Sequence, residues 1–420
     1  MALVVQKFGG TSVGTIERIQ SVACLALDSQ ARGQDVVLVV SAMSGETNRL
    51  VELALQIHPS PYSQEYDLLI ASGEQVAVGL VTLAINTEAA KRGLIKKGEV
   101  AAKGLLGYQV GILTDSIFSK ARIQAIDTSR LQNLIAHRVI PVIAGFQGVD
   151  PESNITTLGR GGSDTSAVAI AAALRADACE IYTDVDGVYT TDPRLCKDAK
   201  KISRISYEEM MELASLGAKV LQIRSVELAA KYALPLQVRS SFNSSEGTLV
   251  VSQDLLGERM EQVVVAGVAA DDAQVKMSLQ NIPDGAGVAA RIFGALSRAS
   301  IVVDVIVQDV PSNGLLTISF TIGRSDHLKA REVLEELRAQ SFSAMRIAEQ
   351  AELAKVSVVG VGMQHHPGVA SKMFQILAEA GINIQLITTS EIKISCLIAS
   401  KSMKRAVECL HQGFELHRVD

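Results

Sequence analysis

Cysteine is sparse in this chain and follows no pattern. Cys24, Cys179, Cys196, Cys396 and Cys409 are odd in number and include no CxxC pair, which argues against a disulfide framework and against a cysteine zinc site. The seven histidines are equally dispersed. No HExxH occurs, and His365-His366 stands before Pro367 in what reads as a loop, so a histidine-held metal is not expected. A Walker A loop is missing too, because GxxxxGK[ST] is found nowhere. The opening run MALVVQKFGG is interrupted by Lys7 within a few residues. It is too short for a signal peptide or for a span of about 20 apolar residues, and a cytoplasmic location is expected. Charge does not accumulate: the formal net charge is -5, and lysines and arginines are spread along the chain. That excludes the footprint of a nucleic-acid or acidic-membrane binder and favours a small-molecule partner.

What is present is a long chain with apolar periodicity. At 420 residues and 48% hydrophobic composition it exceeds the roughly 250–300 residues of one core, so two or three domains are expected. The first ~240 residues alternate β-branched apolar runs with helical stretches, the pattern of a mostly parallel sheet covered on both faces. Strands are expected at 3–8, 36–41, 139–144, 180–184 and 236–240, and helices at 16–28, 72–83, 165–175 and 207–230. Each helix is opened by Gly, Ser, Thr or Asp. From 241 to 260 the composition shifts to Asn, Ser, Glu and Gly, a linker around one short strand, Thr248–Val251. Beyond it the chain repeats itself. Gly-Val-Ala-Ala-Arg-Ile-Phe from Gly287 returns 81 residues later as Gly-Val-Ala-Ser-Lys-Met-Phe from Gly368, with Leu296/Leu377, Ala299/Ala380, Ile301/Ile382 and Ile306/Ile387 in step. Two βαββαβ units fit this spacing, and the strand at 263–268 fits either of them.

Three polar constellations carry chemistry. Lys7-Phe8-Gly9-Gly10-Thr11-Ser12 lies between the first strand and the first helix; glycines admit a ligand to the backbone, helix-start N–H groups favour anions, and Lys7 adds a charge. It reads as a phosphate site, the alternative being an ordinary strand-to-helix turn with a solvated lysine. Thr156-Thr157-Leu158-Gly159-Arg160-Gly161-Gly162-Ser163-Asp164 precedes a helix; Arg160 offers a fork to a carboxylate and Asp164 an anion for an ammonium group or a lysine, which suits a zwitterion. Thr183-Asp184-Val185-Asp186-Gly187-Val188-Tyr189 and Arg194 follow a buried strand, where open α/β sheets place ligands, although Asp-Gly and Asp-Pro are also plain turn formers. Lys219 is a further basic candidate.

Taken in order, KFGGTSV, SAMSGETN, SGEQV, TTLGRGGSDT, TDVDGVYTTDPR and LGAKVLQIRS resemble the aspartate kinases of the amino acid kinase family, from end to end of the chain. The resemblance implies an αβα sandwich kinase domain at 1–245, a linker at 246–262, and two ferredoxin-like ACT domains at 263–345 and 346–420. It implies transfer of the γ-phosphoryl group of ATP, carried with Mg²⁺, to the β-carboxylate of L-aspartate. Lys7, Gly9, Gly10, Asp164 and Lys219 would be catalytic. Ser12, Thr47, Glu74, Arg160, Ser163 and Asp164 would hold aspartate; Lys7, Thr183, Asp184, Tyr189, Arg194 and Lys219 would hold ATP. Lysine or threonine would act as allosteric effectors at Asp284, Gly287, Asp304, Gln308, Asn383 and Ile384. The assembly would be a homo-oligomer, or α2β2 with a short subunit started at Met260. A kinase of glutamate or acetylglutamate and a non-catalytic amino-acid sensor are the alternatives. Two departures stand out: a basic stretch at 91–103 with Leu106-Gly107-Tyr108 before Gln109, and Ala286 at a place where proline is usual.

Overall fold

Hydrophobic strands at the start of the chain demand cover on both faces, and in the computed structural model they receive it. The structure describes residues 1–420 except 60, 62, 217–219, 257–263, 367 and 419–420. It divides into two units: Met1–Tyr189 with Lys201–Arg259, and Thr190–Lys200 with Met260–Val419.

In chain order the first unit contains β1 (Leu3–Phe8), α1 (Ile16–Ala31), β2 (Asp35–Val40), α2 (Glu46–Ile57), α3 (Gln64–Ile70), α4 (Ser72–Lys91), β3 (Ala102–Leu105), β4 (Ile112–Thr114), β5 (Ile123–Ile126), α5 (Ser129–Ala136), β6 (Ile140–Ala144), β7 (Gln147–Val149), β8 (Ile155–Thr157), α6 (Gly162–Leu174), β9 (Ala178–Thr183), β10 (Arg204–Ser206), α7 (Tyr207–Ser215), α8 (Ile223–Lys231), β11 (Leu236–Ser240) and β12 (Thr248–Val251). Eight strands form one sheet in the order β10-β12-β11-β9-β1-β2-β6-β3, parallel except where β11 meets β12. The central strands β1, β2 and β6 are buried on both faces because helices cover both. The short strand at 248–251, expected within a linker, is an integral member of this sheet. A separate four-stranded sheet, β5-β4-β7-β8, sits beside the site. Its three- and four-residue strands carry too little periodicity to be visible in the sequence.

The helical expectation at 207–230 is met by two helices, α7 and α8. Ser206 caps α7 with a reciprocal box to Glu209. Residues 64–91 form a nearly continuous helix, long and apolar enough by composition to cross a membrane. Its Ala77, Val81, Ile85 and Ala89 are buried in one cluster with Ile19, Val22 and Ala26 of α1, so it packs as a core helix.

The second unit contains β13 (Gly267–Pro283), α9 (Val288–Arg298), β14 (Val303–Gln308), β15 (Leu315–Gly323), α10 (His327–Ser341), β16 (Arg346–Val359), α11 (Val369–Glu379), β17 (Leu386–Thr389), β18 (Lys393–Ala399) and α12 (Met403–Gly413). One antiparallel sheet runs β14-β15-β13-β16-β18-β17. The two repeats share its centre. Gln274–Pro283 of β13 and the start of β16 serve the first repeat, while Gly267–Asp271 and the end of β16 serve the second, with register shifts at Asp271/Gln274 marking the change. Two hydrophobic clusters follow the same division. Val275, Met277, Ile292 and Phe320 pack in one, and Val265, Val268, Val356, Met373 and Leu410 in the other. Of the strand expected at 263–268, open between the repeats in the sequence, Val263 lies outside the described residues, the strand itself begins at Gly267, and Val265 and Val268 pack with the second repeat. The division expected at 345/346 is replaced by an interleaved one, because each repeat needs a fourth strand and takes it from the other's half. Gly287 and Gly368, the matched glycines, both cap their helices with φ of +86° and +106°, where a side chain is disfavoured.

Residues Thr190–Lys200 also belong to this unit. The Thr190 carbonyl accepts from the Val268 N–H at 2.7 Å, its hydroxyl lies 2.9 Å from His411 Nε2, and Leu195 and Cys196 pack on the second cluster.

Candidate active site

The site forms where β1, β2 and β6 end, the edge at which open parallel sheets leave a crevice. Phe8 stacks on Tyr182 with ring centroids 4.7 Å apart, and β1 then turns through Gly9 and Gly10. A side chain at Gly10 would lie 2.9 Å from the Ala42 carbonyl oxygen, so glycine is required for the turn to approach the strand-2 loop. Beneath the turn, Glu180 accepts hydrogen bonds from Gln6 Nε2 (2.9 Å), Tyr182 Oη (3.0 Å) and Arg239 Nη1 (3.1 Å), fixing β1, β9 and β11 in register.

A cavity of about 340 Å³ opens above. Lys7, Gly10, Thr47, Glu74, Arg160, Ser163 and Asp164 all line it, which brings together residues drawn from four separated motifs. Lys7 Nζ and Asp164 Oδ1 pair at 2.5 Å with both side chains 11% exposed. Asp164 stands in the first turn of α6, a helix whose N-terminus favours negative charge at its open N–H groups. Glu74 enters from the first turn of α4 and is buried; Oε1 accepts from the Ala42 N–H at 3.1 Å, while Oε2 is buried without a partner among the described residues. Burial pushes the Glu74 carboxyl up to about 7, against the smaller opposing pull of the Ala42 amide. Arg160 stands exposed at the rim.

Other expected residues fall elsewhere. Ser12 is fully buried and donates to Ser241 Oγ at 2.8 Å, so its hydroxyl braces the turn. Arg18 holds the same Ser241 through its carbonyl and its hydroxyl. At the end of β9, Thr183 Oγ1 donates to Asp184 Oδ1 at 3.0 Å, and Tyr189 Oη donates to Asp186 at 2.7 Å; none of Thr183, Asp184 and Tyr189 lines the cavity. Arg194 lies in the segment that joins the second unit, exposed and paired with Asp192 at 2.7 Å. Lys219 lies outside the described residues. Sequence reasoning drew only Thr47 from SAMSGETN, yet Ser41, Met43, Ser44 and Asn48 of that same stretch also line the cavity. The signal was the motif itself, a small-residue loop directly after a buried strand.

In the second unit Asp304 of β14 is paired with Lys355 of β16, whose side chain is only 6% exposed. Gln308 ends β14, Gly287 caps α9, and Asp284 follows β13 with its N–H on the Gly314 carbonyl at 2.9 Å. Asn383 and Ile384 lie between α11 and β17, with Ile384 packed on the second cluster.

A parallel sheet whose strand ends gather a lysine-aspartate pair, a glycine turn and a helix N-terminus belongs to the α/β class covered by helices on both faces, which binds its ligands at that edge. Residues 2–240 match the amino acid kinase family and residues 356–414 an ACT domain. The aspartokinase of Pseudomonas aeruginosa is 52% identical over 417 residues, 99% of this chain and 98% of that protein. Two solved structures of Escherichia coli aspartokinase III, each 26% identical to this chain, are similar over 98% of it and 99% of theirs. One is in complex with aspartate and ADP (TM-score 0.78), the other in complex with lysine and aspartate (TM-score 0.75). The chain belongs to the amino acid kinase family and, within it, to the aspartokinases.

Proposed function

We propose that this chain phosphorylates the β-carboxylate of L-aspartate with ATP, giving 4-phospho-L-aspartate and ADP. The observation that carries the reading is the single cavity in which Lys7, Asp164, Glu74, Arg160 and Ser163 meet. The E. coli structure with aspartate and ADP supports it. A carboxylate is already a deprotonated nucleophile, so the reaction needs positioning and charge neutralisation instead of a general base. Arg160 suits the α-carboxylate as a two-pronged donor, and the unpartnered Glu74 oxygen suits the α-ammonium. Lys7, oriented by Asp164, neutralises the transferring phosphoryl group, with the Gly9 and Gly10 amides toward its equatorial oxygens. Magnesium would arrive with the nucleotide substrate and would supply charge neutralisation at its phosphates. Thr183, Asp184 and Tyr189 take the nucleoside, and Lys219 its phosphates.

Lysine and threonine are the effectors in this reading, bound at the repeats through Asp284, Gly287, Asp304, Gln308, Asn383 and Ile384. The lysine-bound E. coli structure supports such an effector. The enzyme works in the cytoplasm as a homo-oligomer, with α2β2 as the alternative. A short chain started at Met260, which lies outside the described residues, would show in the intact mass beside the 44.7 kDa species.

ADP release measured in parallel with aspartate, glutamate and acetylglutamate tests the proposal. Turnover on aspartate is expected. Turnover on acetylglutamate alone would remove Glu74 as an ammonium ligand, and none on any of the three would leave an amino-acid sensor.

A further inference from the structure

The loop that carries Arg160 is held from two sides by charged residues that do not line the cavity. Asp67, in α3, is fully buried. Its carboxylate accepts from the Thr157 N–H at 2.6 Å, the Ser119 N–H at 2.8 Å and the Ser119 hydroxyl at 2.9 Å. Arg224, the second residue of α8, donates from Nη1 to the Leu158 carbonyl at 2.7 Å and from Nη2 to the Ala121 carbonyl at 3.2 Å. The two therefore grip the same pair of segments, 119–121 and 157–158, which are joined by the Ala121 N–H on the Thr157 carbonyl at 3.0 Å.

Local backbone geometry shows what the grip maintains. Ser119 is a non-glycine residue at φ +66°, a left-handed conformation that surrounding bonds must hold in place. Gly159 has φ +76°, and a side chain there would lie 2.9 Å from the Ser119 carbonyl oxygen. Gly161 has φ +71° and abuts Gln222, two residues before Arg224. Arg160 projects between these two left-handed glycines. Glycines leave the unfolded loop many conformations, so a carboxylate fork placed there needs outside support to be held in one of them.

We propose that Arg224 and Asp67 are positioning residues for substrate recognition, holding residues 157–159 so that Arg160 presents its guanidinium to the α-carboxylate of the amino-acid substrate. Arg224 follows closely on Lys219 in LGAKVLQIRS, so one short stretch serves both the nucleotide side, in the reading above, and the amino-acid side. Neither residue touches a reacting atom. Their effect is on the cost of ordering the loop, which appears in the KM of the substrate that Arg160 binds.

This rests on the reading of the cavity as the aspartate site, and steady-state kinetics of the full-length chain separate the two. If the wild type does not turn over aspartate, the functional reading fails. If it does, Arg224→Met is expected to raise the aspartate KM at least about tenfold while the ATP KM stays within about twofold. Arg224→Lys keeps one donor for Leu158 and should fall between the two. Asp67→Asn, nearly equal in shape but with an amide facing the Thr157 and Ser119 donors, should likewise raise the aspartate KM selectively. Equal weakening of both substrates, or variants of wild-type thermal stability with unchanged aspartate KM, overturns the proposal. Should Arg224→Met fail to fold, Arg224→Lys decides, and a wild-type aspartate KM in that variant overturns it.

Discussion

Each unit contains a lysine-aspartate pair with a poorly exposed lysine, and the pairs differ in what surrounds them. Lys7 and Asp164 are both 11% exposed and both line a cavity, with Glu74 and Arg160 on the same walls. Lys355 is 6% exposed and Asp304 40%, on a sheet where β13 and β18 flank Lys355 at Asp271 and Leu397. A buried ammonium group needs an anion in either place. In the first unit open space lets an incoming anion share the lysine, so its charge is available for work. In the second the lysine is enclosed by its own sheet, so its charge is met inside the fold and is not offered to an incoming anion. The pairing alone does not identify a site; access to the pair does.

The comparison breaks most sharply at Lys7. Lys7→Ala should lower kcat by about two orders of magnitude or more with the fold retained, the scale of a lost transition-state charge contact. A folded variant with wild-type kcat would place Lys7 with Lys355, as a structural charge. Glu74 offers a finer cut. Glu74→Gln should raise the aspartate KM about 30-fold, the worth of a charge-assisted hydrogen bond of about 2 kcal/mol. Its effect on stability has the opposite sign. The folded-state pKa near 7 lies above the ordinary 4.5, so the folded chain binds more protons than the unfolded chain between those values. Stability at this group therefore falls as pH rises from about 4.5 to 7 and is level above that. The glutamine variant escapes the loss and should be more stable than wild type at pH 8 by on the order of 3 kcal/mol, with little difference at pH 4.5. Denaturant titrations at the two pH values check this, and parallel curves for the two proteins would show that Glu74 is not held near neutrality.

Much of this was legible beforehand because the functional residues sit on strong local signals. Lys7, Arg160 and Asp164 lie in glycine-rich joints between a buried strand and a helix, and their convergence on one cavity follows from parallel strands ending at the same edge. What escaped detection has a common cause. The sheet β5-β4-β7-β8 has strands of three or four residues, Asp67 and Arg224 act on backbone atoms distant in sequence, and residues 190–200 pack with the second unit through a few apolar side chains. None of these leaves a periodic trace. The shared strands of the repeats were half visible: the 81-residue echo marks the helices and glycine caps, but strand pairing between repeats is a long-range contact that self-similarity does not encode.

Arg160→Lys should have a smaller effect, about a tenfold rise in aspartate KM, because a point charge replaces a two-pronged donor. The ATP KM should move much less. Equal weakening of both substrates would mean that Arg160 organises the loop and that the ligand contact lies elsewhere.

The smallest expected effect on turnover comes from the second pair. Asp304→Ala should leave uninhibited kcat within about twofold, since the change lies in the unit that does not carry the cavity. It strands Lys355, and removing one partner of a buried pair costs about 3–5 kcal/mol, less here because Asp304 is partly exposed. A loss of about 2 kcal/mol in the unfolding of the second unit is expected, and inhibition by lysine or threonine should be relieved. Both results follow equally if Asp304 anchors the effector's ammonium group or merely keeps Lys355 in place. Combining Asp304→Ala with Lys355→Met separates the two, because an apolar side chain of similar length removes the stranded charge and should restore most of the lost stability. If Asp304 is the anchor, the double variant is stable and still insensitive to effector. Recovery of inhibition in the double variant would make Asp304 a counterion and nothing more, and the second pair would then be structural throughout.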